Sequence, residues 1–107
     1  MNRGDVWTVG DEAGRWRVVV LSADEYNEHR GWAYCVPIVR RPSSGQKSPY
    51  GVLLSEPDPV SGVVMVDFIE RIPADAATER VGMLSGSSFA QVEAIFRDLF
   101  DLHDGGR

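Results

Sequence analysis

The residues of this chain best able to do chemistry are cationic and aromatic, and they are unevenly placed. Arg15 and Arg17 flank Trp16. Further on, no Asp or Glu occurs between His29 and Ser55. That window holds Arg30, Arg40, Arg41 and Lys47, with Trp32, Tyr34 and Tyr50 among them. Cationic side chains without carboxylates beside them can hold phosphates by charge-assisted hydrogen bonds, and aromatic faces can stack nucleobases; Trp16, Trp32 and Tyr34 are candidates, although strand alternation should place half of them in the core. The chain as a whole is acidic, with a formal net charge of −5, but distribution decides what a surface attracts. Residues 1–50 carry seven cations and six acids, a net of +1. Residues 51–107 carry four cations and ten acids, a net of −6. A basic, acid-free stretch in an acidic protein points to a local anion site. The same stretch also reads as a solvated loop, and composition does not separate the two.

Other reactive types are few. A histidine such as His29 suits general acid–base work, although a lone His among Asp, Glu and Arg is also the pattern of a solvated loop residue. His103, near the chain's end, suits the negative end of a helix. Cys35 is the single cysteine, so no internal disulfide forms, and with only two histidines it builds no zinc site. No metal or cofactor is expected. No apolar run approaches the roughly 18 residues of a membrane span. Met1 to Asp5 is followed by no apolar segment of a secretory signal, so the expected place is the cytoplasm.

The positioning elements follow from periodicity. With 107 residues, 43% hydrophobic and 25% charged, the chain has the length and composition of one globular domain, residues 1–107. Asp5 to Val9 alternates and reads as a strand, followed by a Gly-bounded loop from Gly10 to Gly14. Arg15 to Leu21 is a second strand whose Val18-Val19-Val20 run predicts burial on both faces. Ser22 to Gly31 is polar and predicts a helical turn capped by Ser22. Trp32 to Val39 is a third strand, with Pro37 demanding a bulge or an edge. Arg40 to Pro49 is the long loop. Tyr50 to Leu54, Val63 to Ile69 and, more weakly, Glu79 to Leu84 complete the strands. From Ser88 on, Phe89, Val92, Ile95, Phe96, Leu99, Phe100 and Leu102 recur at helical spacing, with Ser88 and Gln91 set as a capping box and Gly105-Gly106 as a stop. The fold class is mainly β with α: a small, curled, antiparallel sheet or barrel with a C-terminal helix over it.

Several blocks in order carry a resemblance. They are Arg3-Gly4-Asp5-Val6-Trp7; Val18-Val19-Val20-Leu21-Ser22 with Tyr26-Asn27 and Gly31; Val36-Pro37; and Ser61-Gly62-Val63-Val64-Met65-Val66-Asp67. Together they resemble the MazF/PemK/Kid family of toxin endoribonucleases, whose superfamily also holds the CcdB gyrase poisons. The resemblance implies an SH3-like sheet, a homodimer, and the toxin of a type II toxin–antitoxin system. Such a toxin is a metal-independent, sequence-specific endoribonuclease, an mRNA interferase. It cuts single-stranded RNA through the ribose 2′-hydroxyl, is inhibited by a cognate antitoxin, and meets promoter DNA only in complex with it.

The family places an Arg before Pro at the start of its second strand and a Thr after the Val-Pro of its third. By spacing, Trp16 and Arg17 stand at the Arg and Pro positions, Val39 at the Thr position, and Phe68 where a Gln usually follows Asp67. Three readings follow. In the first, Arg15 and Arg17 take over the phosphate work, Arg15 at the scissile phosphate and Arg17 beside it, with a hydroxyl from Ser43 or Ser44. The RNA would then lie along Trp16, Tyr26, His29, Arg30, Arg40, Arg41 and Lys47. In the second, the domain binds RNA or protein without cutting. In the third it inhibits a protein target as CcdB does, although the tail Asp104-Gly105-Gly106-Arg107 lacks the Trp of the gyrase poisons.

Overall fold

The first strand runs further than its alternation predicts. β1 (Asp5–Asp11) and β2 (Gly14–Val20) form a hairpin paired through Asp11 and Gly14, so the expected five-residue loop shrinks to Glu12-Ala13. Gly10 makes this possible. Its φ is +108°, and a Cβ there would lie 2.1 Å from the Gly14 carbonyl oxygen. The Asp11 carboxylate accepts the Ala13 amide at 2.9 Å and closes the turn. The computed structural model describes residues 1–41 and 48–102.

The remaining elements are α1 (Asp24–Arg30), β3 (Trp32–Val39), β4 (Gly51–Leu53), β5 (Val63–Met65), β6 (Glu70–Pro73), a 3₁₀ turn (Ala74–Ala76), β7 (Ala77–Met83) and α2 (Gly86–Leu99). Seven strands form one antiparallel sheet in the order β4-β5-β3-β2-β1-β7, with β6 also paired to β3. β5 and β6 share one side of β3: β6 takes Trp32 to Cys35, and β5 takes Ile38 and Val39. Pro37 lies between the two. A residue without an N–H thus sits inside the sheet with no ladder partner lost on that side, so neither a bulge nor an outer edge is needed.

Val18, Val19 and Val20 are fully buried, and the curl of the sheet gives them two cores. Val6, Val19, Val36, Val64 and Val66 meet Val92, Phe89 and Phe96 of α2 on one face. Val9, Val18, Val20, Ala33, Cys35 and Ile72 fill the other, with Trp7 partly buried against them. Cys35 lies within this second core, and its burial pushes the thiol up to about 12. It is a packing residue.

The family-like motifs prove to be structural anchors. Gly4 turns the chain at φ +89°, and the buried Asp5 accepts from Asn2 N at 3.0 Å, Trp7 Nε1 at 3.2 Å and Arg80 Nε at 3.2 Å. Arg3 pairs with Glu93 and stands over the Phe89 ring, tying the first turn to α2. Asn27 is also buried. It donates to the carbonyls of Met1 and Ser22 and accepts the Ser22 hydroxyl. Ser22 therefore does not cap α1; Ala23 stands at that position without a side-chain bond, while Ser22 Oγ accepts the Tyr34 amide at 2.8 Å.

Three further expectations are corrected. The Val63–Ile69 strand breaks after Met65, where the Phe68 amide turns back to the Met65 carbonyl, and the chain re-enters the sheet as β6. α2 is capped by Ser85, whose hydroxyl accepts the Ser88 amide at 3.2 Å, so Ser88 lies inside the helix. The helix ends at Leu99, before Leu102 and ahead of the expected Gly105-Gly106 stop, which lies outside the described residues, as does His103.

Candidate nucleic-acid groove

β2 is exposed from Gly14 to Arg17 and buried from Val18 to Val20. The hairpin therefore projects past the core, and its outer half holds side chains that no packing demands. Arg17 pairs in register with Thr8 on one side and Ile38 on the other. Continuing that register sets Trp16 across from Val39, one step past the last paired residues. The Trp16 ring lies over Gly10, with Cζ3 at 3.1 Å from where a Cβ would be.

A groove of ≈ 450 Å³ opens there, lined by Thr8, Arg15, Trp16, Arg17, Ile38, Val39, Arg40 and Ser61. A second hollow adjoins it and shares Arg17, Arg40 and Ser61, adding Arg41, Leu53, Leu54 and Gly62. Arg15, Arg17, Arg40 and Arg41 thus line two adjoining hollows, which together form a basic channel. Among the described residues none of them pairs with a carboxylate; the ion pairs found are Arg3–Glu93 and Arg80–Asp5. The described lining holds no carboxylate, histidine or thiol. Trp16 and Val39 are each 40% exposed and Leu53 49%, so apolar surface alternates with charge. The channel is built to hold a chain of anions with flat or apolar groups between them.

The predicted residues divide. Arg15, Trp16, Arg17, Arg40 and Arg41 come together, from a hairpin and from the end of β3. Arg17 touches both halves of the channel and Arg15 only one. Tyr26, His29 and Arg30 do not line it. They belong to α1, which packs at the start of β3, and Tyr34 and Val39 are five residues or roughly 16 Å apart along the strand. Tyr26 stacks on Tyr34 with centroids 5.8 Å apart and accepts from Trp32 Nε1 at 3.3 Å, a bond that lowers its phenol below the usual tyrosine range. Arg71 covers the Trp32 ring at 4.6 Å. Ser43, Ser44 and Lys47 lie outside the described residues.

Ser61 is a lining residue that the sequence marks only as the first residue of the Ser61-to-Asp67 block; it reaches the channel because the β4–β5 connection folds back along the end of β3. Trp16 and Val39 line the same groove.

Residues 2–100 match the family described as the PemK-like, MazF-like toxin of type II toxin–antitoxin systems. The chain belongs to that family. Solved structures agree in fold. An endoribonuclease from a mycobacterial species, solved with its cognate antitoxin, superposes with a TM-score of 0.86 at 19% identity, over 96% of this chain and 97% of that one. A MazE–MazF complex from Deinococcus radiodurans gives 0.84 at 23% identity, over 96% and 97%. The Mycobacterium tuberculosis toxin MazF-mt6 gives 0.75 at 17%, over 92% and 98%. No curated protein sequence matches the chain.

Proposed function

We propose that this toxin is a metal-independent endoribonuclease that cuts single-stranded RNA lying in the arginine-lined channel. The observation that carries the proposal is the convergence of Arg15, Arg17, Arg40 and Arg41, uncompensated among the described residues, on one groove that also presents Trp16. Cleavage by the ribose 2′-hydroxyl needs the negative charge of a pentacoordinate phosphorane stabilised where it develops. Guanidinium groups do this with two parallel donors each, and they keep their charge at any physiological pH. Arg17, at the junction of the two halves, is the proposed phosphorane contact. Arg15, Arg40 and Arg41 hold flanking phosphates. The 2′-oxygen attacks phosphorus as its proton passes to water, the bond from phosphorus to the 5′-oxygen breaks, and that oxygen takes a proton from water, leaving a 2′,3′-cyclic phosphate and a 5′-hydroxyl.

The partners proposed with it are a second copy of the chain and a cognate antitoxin, as the MazE–MazF complexes of Deinococcus radiodurans suggest. An acidic, partly apolar antitoxin tail would compete with RNA for the same arginines. The cytoplasm is the proposed compartment; among the described residues no helix is long and apolar enough to cross a membrane.

A second reading rests on Trp16 and Val39. Their apolar pairing at the positions the family reserves for Arg and Thr favours a groove that binds RNA without cutting it. Induction in a bacterial host, followed by mapping of RNA 5′ ends, decides between them. Fresh 5′-hydroxyl ends at a short shared sequence support the nuclease. Growth arrest with intact RNA supports the binding domain or a protein target.

A further inference from the structure

We propose that Ser61 is a phosphate contact of the channel, its hydroxyl donating to an RNA phosphate oxygen held between Arg17 and Arg40. The inference deepens the RNA-binding reading and rests on it.

Ser61, Arg17 and Arg40 are the residues common to both halves of the channel. Ser61 is therefore at its midpoint, and it is the one described hydroxyl there; Thr8 lines only the hairpin side. The backbone on its C-terminal side is fixed. Gly62 has φ +134°, and a Cβ on it would lie 2.6 Å from the Val39 carbonyl oxygen and 2.9 Å from Ile38 Cγ2. Only glycine lets the chain press this closely against the end of β3. The Gly62 carbonyl then accepts the Leu54 amide at 2.9 Å. On the N-terminal side, Asp58 holds Ser55 and the start of α2. Ser61 hangs between two anchors, while its own hydroxyl has no bond to another described residue. An exposed hydroxyl that lines both hollows together with two arginines unpaired among the described residues is suited to a tetrahedral anion: the arginines would take two edges, and the hydroxyl would donate to a remaining oxygen.

A neutral donor and a charged one leave different signatures. Losing an arginine contact lowers affinity and flattens its dependence on salt, by about 0.7 in the logarithmic slope per phosphate for a single strand. Losing the hydroxyl lowers affinity and leaves the slope alone.

The experiment measures equilibrium binding of a short single-stranded RNA, made uncleavable by 2′-deoxy or 2′-methoxy sugars, across a salt series. Wild type, Ser61→Ala, Ser61→Thr and Arg40→Ala are compared. Ser61→Ala should bind about tenfold more weakly, equivalent to about 1.4 kcal/mol, with the wild-type salt slope. Ser61→Thr should stay within about twofold to threefold of wild type, and Arg40→Ala should lose slope. Melting curves check that Ser61→Ala is folded, as its exposure predicts. If wild type binds RNA and Ser61→Ala binds equally well, Ser61 is not a contact and the RNA reading stands. If wild type does not bind RNA, both fall. If Ser61→Ala loses only an acidic peptide and not RNA, the hydroxyl serves a protein partner and the proposal is overturned.

Discussion

Asp58 is the residue whose loss the fold should feel most. It is 8% exposed, in a loop with no regular structure. Its carboxylate accepts the Ser55 amide at 2.9 Å, the Ser85 amide at 2.8 Å, the Ser88 hydroxyl at 2.6 Å and, more weakly, the Ser55 hydroxyl at 3.3 Å. It therefore joins the β4–β5 loop to the N-terminus of α2, where a negative charge also suits the helix dipole. Burial by itself would raise this carboxyl, but the Ser88 hydroxyl and the Ser55 and Ser85 amides outweigh it and hold the group below the usual aspartate range. Each bond to a charged acceptor contributes about 1.5–3 kcal/mol net. The contributions do not add, and water reaches part of the site. We expect Asp58→Ala to cost about 3 kcal/mol and Asp58→Asn, which keeps one acceptor and loses the charge, about 1.5 kcal/mol. At about 4–8 °C per kcal/mol for a domain near this size, Asp58→Ala should melt more than about 10 °C below wild type at pH 7. The pH dependence has a definite sign. A carboxyl lowered in the folded state stabilises above its unfolded value near 3.9, and that stabilisation is lost as pH falls toward the folded value. The gap between wild type and Asp58→Asn should then be full at pH 6–8 and shrink below about pH 4. Melts of the three proteins by circular dichroism from pH 3 to pH 8 give the answer. An Asp58→Ala protein that melts within about 2 °C of wild type, or a gap that widens in acid, would refute the reasoning.

Three other predictions concern the channel and its neighbours. Arg40→Glu with Arg41→Glu should weaken the binding of RNA and of an acidic antitoxin tail together, mainly through slower and less salt-sensitive association; stopped-flow measurements that show no change in either would remove the channel as the site. Gly62→Ala should destabilise the protein by about 1–3 kcal/mol, since it loses a left-handed conformation and collides with the Val39 carbonyl; an unchanged denaturant midpoint would contradict that packing. The exposed Phe100 beside Phe96 and the half-buried Val63 and Met65 suggest a surface covered by a second copy; light scattering should give about 24 kDa, twice the chain's 11.8 kDa, and a value near 12 kDa at micromolar concentration would exclude the dimer.

Local signals were legible where one face of an element meets one environment. Val18 to Val20, the limits of β3 and the apolar face of α2 follow from periodicity because burial there is uniform along the element. The failures share a cause. Val63 to Ile69 reads as one strand because its apolar run is continuous, but the strand stops when β3 passes it from β5 to β6, a matter of topology. Ser22 and Ser88 have the spacing of caps, yet long-range partners decide: Ser22 is claimed by Asn27 and Tyr34, and Ser88 by Asp58. The site shows the same limit. Arg15 and Arg17 are two apart on a strand, so their shared face is legible. That Arg40 and Ser61 join them depends on β3 lying beside β2 and on Gly62 pressing against β3. Tyr26, His29 and Arg30 look continuous with the basic window in one dimension, and β3 carries them to its other end.

Metal-independent cleavage by the arginine channel is tested by single-turnover cutting of a short single-stranded RNA in EDTA by wild type, Arg15→Ala, Arg17→Ala and His29→Ala. Wild type should cut without metal and leave a 5′-hydroxyl and a cyclic phosphate. Arg17→Ala should lose about 10²–10³ in rate, the loss typical of one transition-state donor, Arg15→Ala should lose less, and His29→Ala should cut normally, because its helix does not line the channel. Cleavage abolished by EDTA, or by His29→Ala while Arg17→Ala remains active, would contradict this mechanism.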